Sequence, residues 1–127
     1  MYFITICVKD RLELLGNIIE DNIKLTMEGK IVKQNINKIE QIYRNIIIDE
    51  YVIMPNHIHI LMLIKYKSDA TISKKIKHLK TNITKEIKYS VWQKSFYEHI
   101  VRNEKEYFKI KEYIKYNVIN WRKDKYF

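Results

Sequence analysis

The sequence predicts an α+β fold in which an antiparallel sheet of four to five strands is covered by helices. Two observations carry this prediction. The apolar run "HIHILMLI" follows the strand-like run "NIIIDEYVIM" after a break of two residues, and strands joined so closely must be antiparallel. The remaining segments include stretches whose apolar residues recur at helical spacing. Because the 127 residues contain no low-complexity linker and no internal repeat, we expect a single domain over 1–127.

The first third of the chain is predicted to hold a strand, a hairpin and a helix. The β-branched and aromatic content of "YFITICV" is typical of a strand over residues 2–8. The segment "LLGNIIEDNIKLT", residues 14–26, indicates a short hairpin that turns at "EDN". A helix is predicted from about residue 26 to residue 43, because apolar side chains recur there at helical spacing, at Val32, Ile36, Ile39 and Tyr43.

Two long strands are predicted next, over residues 45–54 and 57–64. Pro55 and Asn56 between them are typical turn residues. The second strand is apolar on both faces apart from two histidines, so both of its faces must be covered. We therefore expect it at the centre of the sheet, with two helices on one face and the final helix across the face that carries the histidines.

The last part of the chain is predicted to form a helix, a strand and a second helix. The first of these helices extends from about residue 70 to residue 89 and has one apolar face, formed by Ile72, Ile76, Leu79, Ile83 and Ile87. The segment "SFYEHIV", residues 95–101, is the last predicted strand. Asn103 followed by Glu106 is a capping pattern, which begins a final helix that we expect to run to about Trp121.

The charge balance favours an anionic partner. Lysine and arginine together number 24 against 15 acidic residues, which gives a net charge of +9. Such an excess points to nucleic acid first. Since a genome rich in A and T also produces lysine-rich proteins, the charge alone is weak evidence.

The cellular compartment follows from features that the sequence lacks. Cys7 is the single cysteine, which excludes an intrachain disulfide and suits a reducing cytoplasm. The opening "MYFITICVKDR" does not have the order of a signal peptide. No apolar run is long enough to span a bilayer. We therefore expect a soluble cytoplasmic protein with no membrane partner.

The histidines of the central strand are candidate metal ligands. Because side chains alternate along a strand, His57 and His59 point to the same face, with Cα atoms roughly 7 Å apart. Their imidazole tips can converge on one ion if a third ligand comes from elsewhere in the fold. The alternative is a pair of neutral core histidines with hydrogen-bond partners, and for a bare His-x-His on a strand that is the commoner case.

The final helix offers the missing ligand. On ideal helical geometry one face of it is apolar and must pack on the sheet. Tyr113 and Asn117, four residues apart, line the edge of that face. If this helix covers the histidines, the site gains an amide oxygen and a tyrosine hydroxyl. The alternative is a tyrosine at the boundary of the core and an ordinary surface asparagine.

Four blocks of the sequence resemble one known family. The segment "MPNHIHIL" resembles the His-hydrophobic-His motif of HUH endonucleases, in the form carried by REP-associated tyrosine transposases and the related single-strand insertion-sequence transposases. The other blocks, in chain order with the first, are "YFITICVKDRLELLG", "VWQKSFYEHIVRNEKEY" and "YIKYNVINWRKD". Together they cover almost the whole chain.

The resemblance implies a ferredoxin-like HUH fold and a role for each candidate. His57 and His59 are implied to be metal ligands, Asn117 a further amide ligand, and Tyr113 the nucleophile. The implied reaction is transesterification on single-stranded, hairpin-forming DNA. It leaves a 5′-phosphotyrosine link and a free 3′-OH, and the implied cofactor is Mg²⁺ or Mn²⁺. The chain departs from the family at Val118, where proline is usual. Without that proline we expect a straighter helix that continues to Trp121.

Six basic residues are candidates for binding the DNA phosphates. Two follow the first strand, and four lie on the 70–89 helix in positions that we expect to be off its apolar face: Lys9, Arg11, Lys74, Lys75, Lys77 and Lys80. For each of them, an ordinary solvated surface position is the alternative.

Three functions are compatible with the sequence. The four matched blocks favour a transposase that nicks and rejoins single-stranded DNA. The second is a non-catalytic descendant that binds hairpin DNA or RNA, and the third is a metal-dependent hydrolase of small phosphoesters, which would use water in place of Tyr113. The resemblance is compatible with a monomer and with a homodimer.

Overall fold

The computed structural model describes residues 1–68 and 70–123, and these form a four-stranded antiparallel sheet, a separate two-stranded hairpin and three helices. The predicted α+β fold is therefore confirmed. None of the helices in this part of the chain is long and apolar enough to cross a membrane. In chain order the elements are β1 (Tyr2–Cys7), β2 (Gly16–Ile19), β3 (Asn22–Leu25), α1 (Met27–Ile42), β4 (Ile46–Ile53), β5 (His57–Ile64), α2 (Ile72–Ile87), β6 (Tyr97–Ile100) and α3 (Glu104–Lys115).

Strand β5 lies at the centre of the main sheet, as predicted. The strand order is β4-β5-β1-β6, and every neighbouring pair is antiparallel. In the register of β1 on β5, Cys7 lies opposite His57 and Thr5 opposite His59. The turn from β4 to β5 is closed by a hydrogen bond of 2.8 Å from the Met54 amide to the His57 carbonyl. The two histidines thus lie on an inner strand of the sheet, at the end where β5 begins.

The hairpin of β2 and β3 turns at the predicted position. Its two loop residues, Glu20 and Asp21, have φ angles of 51° and 62°. Two consecutive left-handed residues form the type I′ turn whose twist suits a hairpin. The prediction of a turn at "EDN" is therefore confirmed.

Helices α1 and α2 cover one face of the main sheet. Thr26 caps α1 by accepting a hydrogen bond of 3.1 Å from the Gly29 amide. A Cβ at Gly29 would lie 2.0 Å from the Leu15 carbonyl oxygen, so this close approach requires glycine. The core between the helices and the sheet consists of aliphatic side chains that are fully buried, among them Ile4, Ile6, Val32, Ile36, Ile58, Ile60, Ile76 and Ile83.

The final helix lies on the opposite face but ends earlier than predicted. Asn103 caps it, as expected, by accepting from the Glu106 amide at 2.9 Å. Helix α3 stops at Lys115, and the chain continues through turns to a short 3₁₀ segment that begins at Trp121. The hydrogen-bond spacing changes at this point: the backbone amide of Asn117 donates to the carbonyl of Ile114, three residues back, and not to the carbonyl four residues back. The expectation of a straight helix to Trp121, drawn from Val118, is wrong.

Candidate metal and tyrosine site

The two histidines form a buried pair with partners that fix the orientation of both rings. Both are fully buried, and their ring centroids lie 4.7 Å apart. His57 Nδ1 lies 2.6 Å from the Asn56 side-chain oxygen, and His59 Nδ1 lies 2.8 Å from the Thr5 hydroxyl. An amide oxygen only accepts, so it places the proton of His57 on Nδ1, and the threonine hydroxyl can accept from His59 in the same way. With both protons on Nδ1, both Nε2 atoms carry the lone pairs that can bind a metal ion.

Asn117 supplies a buried amide oxygen on the same side of the sheet. Its chain position lies midway between Tyr113, which contacts His59, and Trp121, whose ring stacks on His57 at 6.2 Å. Asn117 is 2% exposed, and its Oδ1 has no hydrogen-bond partner among the described residues. Burying such an oxygen without a partner costs about 1–3 kcal/mol. A bound cation would satisfy it.

The donor set fits a divalent ion. It comprises two imidazole nitrogens and one amide oxygen, a combination that several divalent metals accept. Among the described residues no three His, Cys, Asp or Glu side chains form a cluster. The amide oxygen of Asn117 is therefore the candidate for the third protein ligand, and the histidine pair alone would not be enough.

Tyr113 lies at the rim of this site. Its hydroxyl is 3.5 Å from His59 Nε2, and its ring centroid is 5.3 Å from that of His59. The side chain is 37% exposed, so a large substrate can reach the hydroxyl from solvent. Tyr116, the next tyrosine along the chain, is the alternative nucleophile; it is 40% exposed, and its ring centroid lies 5.3 Å from the Lys115 ammonium group. The structure thus brings Tyr113 to the histidines, as the sequence predicted.

Several residues that support the site could not be predicted from the sequence. Thr5 and Asn56 hold the histidine rings, and Phe3 stacks on His59 at a centroid distance of 5.1 Å. Thr5 had one visible signal, because it is a hydroxyl residue between apolar neighbours in a predicted strand. Its partner could not be predicted, since the register between β1 and β5 joins residues 54 positions apart.

Lys75 does not occupy the solvated position predicted for it. It is 2% exposed, its Nζ is 3.4 Å from the Asn45 side-chain oxygen, and that Nζ lies 5.6 Å from the centroid of the Tyr43 ring. Burial lowers the pKa of the Lys75 ammonium group. The residue is three positions after Ile72 and one before Ile76, so it shares their side of α2. The expectation that Lys75 lies off the apolar face is wrong.

The lysines at positions 77 and 80 line a groove between α2 and residues 90–98, with a volume of about 830 Å³. The Lys80 ammonium group donates to three backbone carbonyls, at 2.8 Å for Gln93, 3.3 Å for Lys94 and 3.4 Å for Ser95. Burial also lowers the pKa of Lys80. Lys80 therefore ties this segment to α2, whereas Lys77 remains exposed in the groove together with Lys85 and Lys94.

The remaining predicted lysine and arginine positions are exposed. Lys74 lies on the outer side of α2, away from the histidine face. Lys9 and Arg11 form a short 3₁₀ turn directly after β1. The Val8 amide donates to the Asn56 carbonyl at 2.8 Å, so this turn begins at the end of the sheet where His57 lies. Of the six candidates, Lys9 and Arg11 are therefore placed nearest to the candidate metal site.

Two relatives from Haemophilus influenzae (strain ATCC 51907 / DSM 11121 / KW20 / Rd) align with the chain. An uncharacterised protein is 36% identical over 148 positions, which cover 97% of this chain and 82% of that protein. A second protein, provisionally named a REP-associated tyrosine transposase, is 32% identical over 82 positions, which cover 53% of this chain and 46% of that protein. No protein-family model matches the chain.

Two solved structures share the fold. The structure of a REP-associated tyrosine transposase bound to a REP hairpin has a TM-score of 0.75 at 24% identity, and it covers 94% of this chain and 67% of its own. A provisionally named transposase from Deinococcus radiodurans R1 has a TM-score of 0.55 at 17% identity, with 90% of this chain and 87% of its own covered. The resemblance first indicated by the four sequence blocks is thus confirmed by aligned relatives and by the fold.

Proposed function

We propose that this chain is a REP-associated tyrosine transposase that cuts and rejoins single-stranded DNA with Tyr113 as the nucleophile. The likeness to REP-associated tyrosine transposases supports a transposase-type function, and the mechanism is our proposal. One observation carries it: the Tyr113 hydroxyl lies 3.5 Å from His59 Nε2, beside a buried pair of imidazoles. A solvent-accessible phenol held against a potential metal site is the arrangement that covalent phosphoryl transfer needs.

The proposed cofactor is Mg²⁺ or Mn²⁺, held by His57 Nε2, His59 Nε2 and Asn117 Oδ1. Such an ion supplies positive charge that stabilises the charge developing on the scissile phosphate. The choice of these two metals follows the family resemblance, since two imidazoles also suit zinc or nickel. The presence of a metal ion is supported by the side-chain oxygen of Asn117, which is buried and has no hydrogen-bond partner among the described residues.

The proposed reaction conserves the energy of the phosphodiester bond. The phenol oxygen of Tyr113 forms a bond to phosphorus while the bond from phosphorus to the 3′ oxygen of the preceding nucleotide breaks. The phenol proton passes to solvent, to which the side chain is exposed, and the leaving oxygen takes up a proton as a free 3′-OH. When a 3′-OH attacks the phosphotyrosine, the reverse exchange rejoins the strands. No nucleotide cofactor is needed.

The proposed substrate is single-stranded DNA that forms a hairpin. The solved relative with the higher TM-score is bound to a REP hairpin, and a net charge of +9 suits the same kind of partner here. The exposed turn at Lys9 and Arg11 lies at the end of the sheet where His57 lies, so a strand entering the site from that end would meet both cations.

The experiment that tests the proposal is the capture of a covalent complex. Purified protein is incubated with a hairpin-bearing single strand and with Mg²⁺ or Mn²⁺. The label is on the fragment downstream of the cut, which keeps the 5′ phosphate. We expect a labelled band that migrates more slowly than the free protein and that survives denaturation. Binding of the hairpin without any such band, at every divalent ion tried, would favour the second candidate, a non-catalytic hairpin-binding descendant. A cut strand with no adduct would favour water as the nucleophile.

Removing the two cations nearest to the site should weaken DNA binding in a salt-dependent way. The double variant Lys9→Ala and Arg11→Ala removes two phosphate contacts, each of which contributes about 0.7 to the slope of log affinity against log salt for a single strand. We expect the slope to fall by about 1.4 in fluorescence anisotropy titrations. The control is Lys33→Ala with Lys38→Ala, which removes two exposed lysines from α1. Equal slopes for the two double variants would show that Lys9 and Arg11 bind no phosphate.

Removing the hydroxyl that orients His59 should weaken metal binding. Thr5→Val keeps the shape of the side chain but leaves His59 Nδ1 without its partner at 2.8 Å. Loss of such a supporting hydrogen bond typically costs about 10- to 100-fold in metal affinity. Titration calorimetry with Mn²⁺ measures it, and Thr5→Ser, which keeps the hydroxyl, should bind as the wild type does. Wild-type affinity in Thr5→Val would contradict this role.

A further inference from the structure

Helix α3, which carries Tyr113, is fastened at both edges of the main sheet. The edge strands are β4 and β6. On the β6 side, His99 Nε2 lies 2.5 Å from the Glu106 carboxylate. On the β4 side, the Tyr107 hydroxyl donates to Asp49 Oδ2 at 2.8 Å. The N-terminal part of α3 is therefore bonded to both edge strands through two consecutive residues, Glu106 and Tyr107.

Asp49 lies at a bulge of β4, on the face of the sheet that α3 covers. Ile48 pairs with Met62, and Glu50 pairs with the next residue of β5, Leu61. Asp49 is thus the extra residue in the ladder. It follows Ile48, which packs against the core under α1 and α2, so its side chain lies on the opposite face, where α3 packs. At this bulge the carboxylate meets α3.

The Asp49 carboxylate holds two side chains of the helix that lie one turn apart. Besides the Tyr107 hydroxyl it has Lys111 Nζ at 3.8 Å. Hydrogen bonding to Tyr107 and then the negative charge of Asp49 raise the pKa of Lys111. The same Nζ lies 5.5 Å from the centroid of the Tyr107 ring. Asp49, Tyr107 and Lys111 therefore form one cluster, in which the carboxylate is the shared partner.

We propose that Asp49 is a positioning residue, which fixes the rotation and height of α3 over the sheet and so holds the Tyr113 hydroxyl beside the histidines. The inference rests on the proposed role of Tyr113 as nucleophile. Tyr113 is two positions after Lys111, and a slip of α3 by one residue moves it by about 1.5 Å. Because misplacing a reactive group by about 1 Å can cost about 100-fold in rate, the cluster controls the chemistry without touching the substrate.

The cluster is better suited to positioning than to holding the fold together. The Asp49 side chain is 27% exposed and that of Lys111 is 37% exposed, so solvent screens their attraction. Exposed ion pairs of this kind contribute little to stability. The core between the sheet and the other two helices lies on the opposite face and does not depend on Asp49. Loss of the carboxylate should therefore increase the mobility of α3 on the sheet, while the sheet itself stays folded.

The test combines an exchange measurement with kinetics in the full chain. In Asp49→Ala we expect amide hydrogen exchange in residues 107–115 to rise about 10-fold or more, with exchange in β5 unchanged. The rate of nicking at saturating DNA and metal should fall about 10- to 100-fold, while the affinity for the hairpin strand stays at the wild-type value. Asp49→Asn keeps an oxygen that accepts from Tyr107, so it should recover part of both effects. Glu112→Ala, which removes an exposed carboxylate from α3 itself, is the matched control.

The outcomes separate this inference from the proposed function. Wild-type exchange throughout α3 in Asp49→Ala would overturn the inference, and so would an equal rise in exchange in every element. If the wild type forms no covalent adduct but Asp49→Ala still frees α3, the positioning role stands and Tyr113 is not the nucleophile. If the wild type forms the adduct and Asp49→Ala nicks at the same rate, the proposed function stands and the positioning role fails.

Discussion

Replacing Tyr113 by phenylalanine is expected to abolish nicking and the covalent protein-DNA complex. The change deletes one oxygen, which lies 3.5 Å from His59 Nε2, and keeps the ring that packs edge-on against Phe3 at 6.2 Å. Folding, metal binding and DNA binding should therefore survive. Loss of a nucleophile lowers the rate by several orders of magnitude, on the order of 10⁴-fold or more. Denaturing gels of the labelled strand measure both the adduct and the cut.

Tyr116→Phe is the matched control for this experiment. It removes the same atom from the same segment, three residues on, where the ring is paired with Lys115 and more exposed. We expect wild-type nicking from Tyr116→Phe. If that variant fails to form the adduct and Tyr113→Phe forms it, the assignment of the nucleophile is wrong. If neither change affects the adduct, the attacking group is neither Tyr113 nor Tyr116.

Periodicity could predict the face on which each candidate side chain lies, and it could not predict the supporting contacts. Alternation along β5 placed His57 and His59 on one face, and the cap at Asn103 located the helix that carries Tyr113. Both rules are local, so they work on a bare sequence. The hydrogen bond from Thr5 to His59 depends on strand register, which is set by long-range packing.

The two wrong expectations have physical causes that no local pattern reveals. Helix α3 ends at Lys115 although neither proline nor glycine follows. Beyond this residue the backbone amide of Asn117 donates its hydrogen bond to the Ile114 carbonyl. That early turn goes together with the burial of Asn117. Lys75 is buried because its long aliphatic stem fits an apolar face and its ammonium group finds Asn45. A charged residue on a helix usually indicates exposure, and at Lys75 it does not.

Removing either histidine is expected to abolish cleavage, because the site has few other ligands. His57→Ala and His59→Ala each delete one of two imidazole nitrogens, and the loss of rate should exceed the roughly 100-fold that a supporting residue can cost. Asn117→Ala should only raise the metal concentration needed for half-maximal cleavage, since water can replace a neutral oxygen ligand. Cleavage by the wild type should stop in excess chelator and return when Mn²⁺ is added.

The histidine variants need a control for folding, because both rings are fully buried and His57 stacks on Trp121 at 6.2 Å. A cavity left by alanine can destabilise the core on its own account. His57→Gln and His59→Gln retain most of the volume and should keep the thermal transition of the wild type while still losing cleavage.

Calorimetry with Mn²⁺ then distinguishes histidines that bind a metal ion from histidines that only pack in the core. If the glutamine variants bind the metal as the wild type does, or if the wild type keeps full activity in excess chelator, the histidines are core residues with structural partners. If metal binding and cleavage disappear together while the fold persists, His57 and His59 are ligands.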